Sequence, residues 1–295
     1  MRAIFFGSPE FAVPCLDALV ELADVVAVVC QPDRPAGRGL ALTPPAVKVR
    51  ALALGLEILQ PTKVRVPEFA ESLRALDADV GVVVAYGRIL PRAVLDAPRT
   101  GCVNVHASIL PRFRGAAPIQ WAIAEGDRET GVTLMQVDEG MDTGAMLSVV
   151  RTPIDPNETA QVLAGRLSTM GANLLRTDLA RYVAGELPAT PQDDAQATMA
   201  PLLTKEDGRL DFAWPAQRVH DRVRGMSPWP GAFTTLDGKP VKVHRTHVAE
   251  ARVVASPGEV VASDEGVIRV ACGDGSAIDL LELQDAGKKR VPAAQ

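Results

Sequence analysis

The first part of the chain alternates short apolar runs with segments whose apolar residues recur at helical spacing. We predict strands at 2–7, 25–30, 57–60, 79–85, 131–137 and 145–150, with a further strand that begins at Gly101. We predict helices at 46–54, 67–76, 117–125 and 159–183, and a first helix that ends at Leu22, with Ser8 as its N-cap and Pro9 in its first turn. Strand–helix–strand units with continuous apolar strands indicate a parallel sheet covered on both faces.

The helical pattern stops after Gly185. A polar segment that contains Pro188 and Pro191 follows, and we interpret residues 185–204 as a linker. From residue 205 onward, short β-rich pieces stand between turn signals, with one short helix at 216–224. This pattern is typical of a small barrel or sandwich. The sequence therefore predicts an α/β domain at 1–184 and a β-rich domain at 205–295.

Composition narrows the class of protein. The chain has 295 residues, which suits two domains better than one small core. No apolar run approaches the roughly 20 residues that cross a bilayer, and the N-terminus enters a strand without a signal-peptide pattern, so we expect a cytoplasmic protein without membrane contact. The four cysteines are scattered without a CxxC pair, and we interpret them as buried hydrophobic residues rather than metal ligands.

The charge of the chain is unevenly distributed. A net charge of −5 argues mildly against a general nucleic-acid binder. Residues 205–295, however, hold 13 basic and 13 acidic side chains, so the whole negative excess lies in residues 1–204. A basic face on the second domain is compatible with this neutral balance.

Two polar residues on the strand that begins at Gly101 are the first candidates for chemistry. Asn104 and His106 are two positions apart, which places them on one face of a strand. They lie at its carboxyl end, where open α/β sheets place their ligands. Burying an amide and an imidazole together is costly unless both are used, so we favour a site over a structural role.

A third candidate is Asp142 in the glycine-flanked stretch 138–144, where Asp138 and Glu139 compete for the same role. An amide can bond an oxyanion, an imidazole can move a proton, and a carboxylate can orient the imidazole and favour its charged form. This combination fits acyl-type transfer through a tetrahedral intermediate. A nucleophilic Ser108 beside His106 is the weaker alternative because no Gly-x-Ser-x-Gly elbow is present. A metal site is weaker still, since three of the four histidines lie beyond residue 219.

The order of several motifs resembles one family. The motifs are NVHASILP at 104–111, GVT at 131–133 and DEGMDTG at 138–144, and they resemble the 10-formyltetrahydrofolate-dependent formyltransferases. The resemblance implies that Asn104, His106 and Asp142 are the catalytic trio. It also implies a Rossmann-like domain with a mostly parallel sheet, a linker and a small OB-like β-barrel. The formyl donor would be 10-formyltetrahydrofolate, and no metal is expected.

Further motifs extend the resemblance over almost the whole chain. They are QPDRPAGRG at 31–39, VVAYG at 83–87, RGAAPIQ at 114–120, PWP at 228–230 and GKK at 287–289. They resemble the family members that transfer the formyl group to the α-amino group of methionyl initiator tRNA, for translation initiation. The resemblance therefore implies this tRNA as the partner, and we expect the chain to act as a monomer.

The resemblance also assigns binding residues. It implies a folate site at Tyr86, Gly87, Arg88, Ile89, Leu90, Ser108, Leu110 and Pro111, with Ile89 and Leu90 as an apolar wall. It implies that the loop at 31–39 enters the acceptor end of the tRNA, where Arg34 and Arg38 bond phosphates and glycines let the backbone approach RNA. Lys288 and Lys289 are further candidates for tRNA phosphates, although a solvated surface explains them equally well.

Two departures and two rivals accompany this reading. Ala107 stands where the family usually has glycine or proline, a change that we expect to be tolerated. The sequence ends at Gln295, where relatives in the family continue, a difference that concerns the tRNA-contacting tail and not the chemistry. One rival is a formyltransferase that acts on glycinamide ribonucleotide or a sugar nucleotide. The other is a non-catalytic RNA-binding protein, which the intact trio disfavours.

Overall fold

The computed structural model describes residues 1–36, 41–236, 238–264 and 267–293. Its strands are β1 (Arg2–Gly7), β2 (Asp24–Val29), β3 (Arg34–Ala36), β4 (Ala41–Thr43), β5 (Ile58–Leu59), β6 (Val80–Val84), β7 (Cys102–His106), β8 (Arg114–Gly115), β9 (Glu129–Gln136), β10 (Met146–Pro153), β11 (Met199–Ala200), β12 (Ala232–Leu236), β13 (Lys239–Val248), β14 (Val260–Asp264), β15 (Val267–Ala271), β16 (Ala277–Asp285) and β17 (Val291–Pro292). Its helices are α1 (Val13–Leu22), α2 (Ala46–Ala53), α3 (Pro67–Ala75), α4 (Arg92–Leu95), α5 (Pro118–Ala124), α6 (Ala160–Val183) and α7 (Ala216–Gly225).

The chain forms two compact units. The first contains residues 1–116, 131–152 and 164–200, and the second contains 117–130, 153–163 and 201–295. The domain bounds 1–184 and 205–295 stay a prediction. Two short segments within the first range, 117–130 and 153–163, belong to the second unit. In the described residues, no helix combines the length and the apolar character that crossing a membrane requires.

A seven-stranded sheet organises the first unit. Its strand order is β10-β9-β7-β6-β1-β2-β5, and the pairs formed by β1 with β2, β1 with β6, β2 with β5 and β6 with β7 are parallel. Strands β7 and β9 pair antiparallel. Parallel pairing brings the carboxyl ends of β1, β2, β6 and β7 to one edge, so the residues that follow these strands gather there.

The core of the first unit explains why the sheet forms where it does. Ile4, Phe6 and Val29 from the strands pack with Phe69 and Leu73 of α3, and all five are buried. The apolar runs of β1, β2 and β6 are covered on both faces, as continuous apolar strands require. The polar residues beyond the strand ends are thus held at the rim of a rigid sheet.

The second unit contains an antiparallel sheet with the order β12-β13-β16-β15-β14, and β17 pairs with β16. Val219 and Val223 of α7 pack on Val243, Ile278 and Leu280 of this sheet. The prediction of a Rossmann-like domain with a mostly parallel sheet followed by a small barrel-like β-domain is confirmed.

Two local predictions are wrong. Ser8 does not cap a helix: a short 3-10 turn at Glu10–Ala12 precedes α1, and neither has a side-chain cap. The Ser8 hydroxyl instead accepts a hydrogen bond from the backbone N–H of Gln31 at 3.1 Å, which ties the end of β1 to the end of β2.

The stretch 31–39 is not loop throughout. Arg34–Ala36 forms β3, which pairs antiparallel with β4 from Arg34 opposite Thr43 to Ala36 opposite Ala41. The proline and arginine content suggested a loop, but edge strands tolerate proline because one of their sides needs no backbone partner. Residues 37–40, which include Arg38, lie outside the described residues.

Candidate active site

Three polar side chains meet at the carboxyl edge of the first sheet. Asn104 Nδ2 donates a hydrogen bond to Asp142 Oδ1 at 3.3 Å, and His106 Nδ1 lies 3.6 Å from Asp142 Oδ2. Asn104 and His106 are on β7, and Asp142 comes from the turn that follows β9, the antiparallel neighbour of β7. The structure therefore brings together the three residues that the sequence proposed as a site.

A backbone carbonyl group determines which ring nitrogen of His106 carries hydrogen. The ring is buried, and its Nε2 lies 2.9 Å from the carbonyl oxygen of Phe113. A carbonyl oxygen only accepts, so Nε2 carries a hydrogen and donates it. The other ring nitrogen, Nδ1, faces the carboxylate of Asp142 and remains available for chemistry.

Asp142 is held in an unusual conformation. Its φ angle is +55°, in the left-handed region that side chains other than Asn, Asp and Gly seldom adopt. Its Oδ2 accepts a hydrogen bond from the backbone N–H of Gly115 at 2.9 Å. With Asn104 on Oδ1, both carboxylate oxygens have a donor, which fixes the orientation of the side chain.

Asp138 and Glu139, the competitors in the same stretch, have other positions. Asp138 Oδ1 accepts hydrogen bonds from the backbone N–H of Gly140 at 3.1 Å and from Thr143 Oγ1 at 2.7 Å. Glu139 is exposed. Asp138 therefore closes the turn, and Asp142 is the carboxylate that this turn presents to His106.

Residues 86–90, the first part of the predicted folate site, follow β6 and differ in how exposed they are. Tyr86 and Leu90 are buried in the core, whereas Ile89 is 48% exposed. Gly87 has a φ angle of +80°, and open space surrounds the position where a side chain would stand. Arg88 donates to the backbone carbonyl of Thr62 at 2.8 Å. Of the predicted apolar wall, Ile89 is accessible and Leu90 belongs to the core.

Tyr86 has an unusual hydroxyl group. The side chain is 2% exposed, and its hydroxyl has no hydrogen-bond partner among the described residues. Burial raises the pKa of Tyr86 to about 12, so the phenol is neutral near pH 7. The backbone carbonyl of Tyr86, in contrast, accepts from Gln31 Nε2 at 3.1 Å, which ties the segment after β6 to the end of β2.

Ser108, Leu110 and Pro111 lie in the loop between β7 and β8. The Ser108 hydroxyl donates to the backbone carbonyl of Arg112 at 2.6 Å, and Ser108 is fully buried. Leu110 is buried as well, and its N–H donates to Thr133 Oγ1 at 3.2 Å. Because the hydroxyl is engaged with backbone, this geometry disfavours Ser108 as a nucleophile activated by His106.

The cationic candidates belong to different units. Arg34, in the first unit, is exposed and donates to Gln31 Oε1 at 3.3 Å. Lys288 and Lys289, in the second unit, are exposed in the turn before β17, where Lys288 pairs with Asp285 at 2.7 Å. An exposed ion pair of this kind is weak and opens easily for another anion. Among the described residues, no group of three His, Cys, Asp or Glu side chains is placed to hold a metal.

Sequence reasoning missed Gln192. Its amide Nε2 donates to the backbone carbonyls of Asp142 and Gly144, both at 2.8 Å. It belongs to the segment that was interpreted as a linker, where its polar neighbours resemble any solvated connection. No signal in a single sequence distinguishes this glutamine, because its partners are backbone atoms.

Comparisons with known proteins identify a family for this chain. A model of the formyl transferase family matches residues 1–179, and a model of the formyl transferase C-terminal domain matches residues 202–295. The chain belongs to the formyl transferase family. It is similar to the methionyl-tRNA formyltransferase of Sorangium cellulosum (strain So ce56), with 58% identity over 100% of this chain and 95% of that protein. The methionyl-tRNA formyltransferase of Myxococcus xanthus (strain DK1622) is 55% identical over 99% of this chain and 93% of its own length.

A solved structure shows the same fold at low identity. The sugar 3N-formyl transferase WlaRD, crystallised in the presence of dTDP and 5-N-formyl-THF, has a TM-score of 0.72 at 17% sequence identity. The likeness covers 98% of this chain and 99% of that one. At this identity the likeness supports the fold alone.

Proposed function

We propose that this chain transfers a formyl group from 10-formyltetrahydrofolate to the α-amino group of methionyl initiator tRNA, for translation initiation. The observation that carries the proposal is the convergence of Asn104, His106 and Asp142 in a chain 58% identical over its full length to a methionyl-tRNA formyltransferase. This role in translation initiation implies action in the cytoplasm, and we propose a monomer.

The reaction needs an oxyanion site and a route for one proton. The amine of the acceptor attacks the formyl carbon, a new C–N bond forms, and the C–N bond to the folate nitrogen breaks. The acceptor nitrogen loses a proton, and the folate nitrogen gains one. Between these events, the formyl oxygen carries negative charge, which positioned donors stabilise.

Asn104 is suited to the oxyanion. One N–H of its amide is directed to Asp142 Oδ1, and an amide group has two N–H donors. The second N–H is the donor for the formyl oxygen. Because Asp142 holds the amide by its first N–H, the second is oriented before the substrate arrives, so little reorganisation is needed.

His106 and Asp142 supply the charged part of the site. With Nε2–H donated to Phe113, a second proton on His106 resides on Nδ1, which faces Asp142 at 3.6 Å. In this imidazolium form Nδ1–H donates a hydrogen bond to the oxyanion. The Asp142 carboxylate balances the positive charge of the ring. Asp142 also accepts the amine proton, directly or through one water.

The donor and acceptor have separate binding regions in this proposal. Gly87 and the exposed Ile89 offer open backbone and an apolar surface to the pteridine. We assign Ser108, Leu110 and Pro111 to the same folate site. WlaRD, the solved relative in fold, was crystallised with a formylated folate. Arg34 and Arg38 in the first domain, and Lys288 and Lys289 in a tRNA-binding second domain, bind the phosphates of the acceptor.

A direct assay tests the proposal. The purified chain is given 10-formyltetrahydrofolate with charged initiator tRNA, glycinamide ribonucleotide or an amino-sugar nucleotide, and product formation is measured for each. We expect formylation of the charged tRNA and little of the small acceptors. Preference for either small acceptor, or no transfer to any of them, would overturn the proposal.

The role of the β3–β4 region is tested by Arg38→Ala. We expect the KM for charged tRNA to rise, because a phosphate contact is lost, with little change for a minimal aminoacyl acceptor. The matched control is Arg99→Ala, which removes an exposed arginine paired with Asp77 and Asp79. Equal losses with tRNA and the minimal acceptor would contradict a role in tRNA binding.

A further inference from the structure

The segment 190–200, which we call the strap, is bonded to both loops that form the active site. Thr190 exchanges two backbone hydrogen bonds with Met146, each of 2.8 Å. At the other end, Met199 and Ala200 pair in parallel with Arg114 and Gly115. The strap thus bridges the Asp142 turn on one side and the segment after β7 on the other.

The first anchor of the strap is Gln192. Its Nε2 donates to the carbonyl oxygens of Asp142 and Gly144, and its Oε1 accepts from Arg114 Nε at 3.0 Å. Arg114 is buried and pairs with Asp194 Oδ1 at 2.7 Å, so the orientation of the amide is determined at both ends. Asp142 has a left-handed backbone conformation, and the bonds from Gln192 to the carbonyls of Asp142 and Gly144 hold that turn in place.

The second anchor is Thr198. Its Oγ1 accepts from the backbone N–H of Phe113 at 2.9 Å, and its carbonyl accepts from the N–H of Arg114 at 2.8 Å. Phe113 has a φ angle of +62°, which is uncommon for an aromatic residue. Its carbonyl oxygen is the acceptor that keeps the hydrogen of His106 on Nε2.

The two anchors of the strap hold the two groups that contact the His106 imidazole, namely the Asp142 carboxylate and the Phe113 carbonyl. We propose that Gln192 and Thr198 are positioning residues for formyl transfer: Gln192 places the Asp142 carboxylate, and Thr198 places the Phe113 carbonyl that sets the tautomer of His106. The proposal rests on the proposed function and adds two residues to its machinery. Neither side chain needs to touch a substrate.

Gln192→Met tests the first anchor, since methionine keeps the length and removes both donors. We expect kcat to fall by about tenfold to a hundredfold, the range that a misplacement of about 1 Å produces, with KM for both substrates unchanged. The control is Gln196→Met in the same strap. Among the described residues, the Gln196 side chain donates only to Asp193 Oδ2. The control is expected to keep the kcat of the wild type.

Thr198→Val tests the second anchor with a readout other than activity. In protein labelled with 15N-histidine, His106 is assigned by comparison with His106→Gln, and its nitrogen shifts report the tautomer. We expect hydrogen on Nε2 in the wild type and in Thr198→Ser, and a mixture of tautomers in Thr198→Val. An unchanged His106 spectrum in Thr198→Val would overturn this part of the proposal.

The outcomes separate the two proposals. If the wild type does not formylate charged tRNA, the proposed function fails, and the 15N spectra still test the strap. If the wild type is active and Gln192→Met keeps its kcat, the positioning role fails alone. An equal loss of kcat in Gln196→Met would assign the effect of Gln192→Met to general stability. The positioning role of Gln192 would fail in that case as well. Should Gln192→Met not fold, Gln192→Glu retains the acceptor for Arg114 and removes the donors, with the same expectation.

Discussion

Two histidines of almost equal burial have different surroundings in the two units. His106 in the first unit is 6% exposed, and His220 in the second unit is 7% exposed. His220 Nδ1 bonds Thr246 Oγ1 at 2.8 Å, and its Nε2 donates to the carbonyl of Pro156 at 3.1 Å. His106 has one such bond, and its second nitrogen faces a carboxylate at 3.6 Å.

The difference shows that burial alone does not distinguish a candidate catalytic histidine from a structural one. Both nitrogens of His220 have neutral partners, and burial lowers its pKa, with an opposing contribution from the bond to Pro156. Such a ring is neutral and structural. Nδ1 of His106 has no hydrogen bond from the described part of the chain and lies 3.6 Å from Asp142, which also binds Asn104, so we infer that this nitrogen can bond a substrate.

Asp142→Asn is the strongest test of this contrast. We expect kcat to fall by about 10²–10⁴-fold, because the imidazole loses its counter-charge and the amine loses a proton acceptor. Binding of the folate, measured by fluorescence titration, is expected to stay near normal. Asp138→Asn is the matched control, since its remaining oxygen still accepts from Gly140 and Thr143. A larger loss in Asp138→Asn would show that the wrong carboxylate was chosen.

Asn104→Ala is expected to have the next largest effect. Removal of one oxyanion donor lowers kcat by about 10²–10³-fold, with a smaller change in KM. Asn104→Asp should not restore turnover, because it lacks N–H donors and adds a negative charge beside Asp142. Steady-state kinetics with charged tRNA measure both variants, and a kcat near that of the wild type in either would remove Asn104 from the oxyanion site.

His220 gives the smallest predicted effect, on stability and not on catalysis. Its pKa is lower in the folded chain than in the unfolded one, so the unfolded state binds more protons below the ordinary histidine value of about 6.5. The free energy of unfolding should therefore decrease as the pH falls from about 7.5 to 5.5, and less so in His220→Gln.

Tryptophan fluorescence during urea unfolding measures this pH dependence in the second unit. Trp121, Trp214 and Trp229 are the three tryptophans of the chain, and all belong to that unit. His244→Gln is the control, since His244 is only partly buried and bonds Gln284. Equal pH dependence in His220→Gln and the wild type would contradict the structural assignment.

Much of the fold was predictable because its determinants are local. The apolar runs of β1, β2 and β6 and the helical spacing of α3 and α6 were correct to within a few residues. The pairing of Asn104 with His106 followed from the two-residue period of a strand. The β3 strand was missed because Arg34 and Pro35 favour turns in isolation, and its pairing with Leu42 and Thr43 is a contact between two segments.

By itself, the sequence determined the order of elements, the two-part organisation and the face on which Asn104 and His106 lie, since periodicity and turn chemistry depend on neighbours along the chain. Tertiary structure placed Asp142 and not Asp138 beside His106, because the Asp138 carboxylate accepts hydrogen bonds within its own turn whereas Asp142 accepts from Gly115. It also decided that Ser8 joins two strand ends and that Gln192 holds the Asp142 turn. These roles depend on bonds between side chains and distant backbone atoms, which leave no pattern in a single sequence.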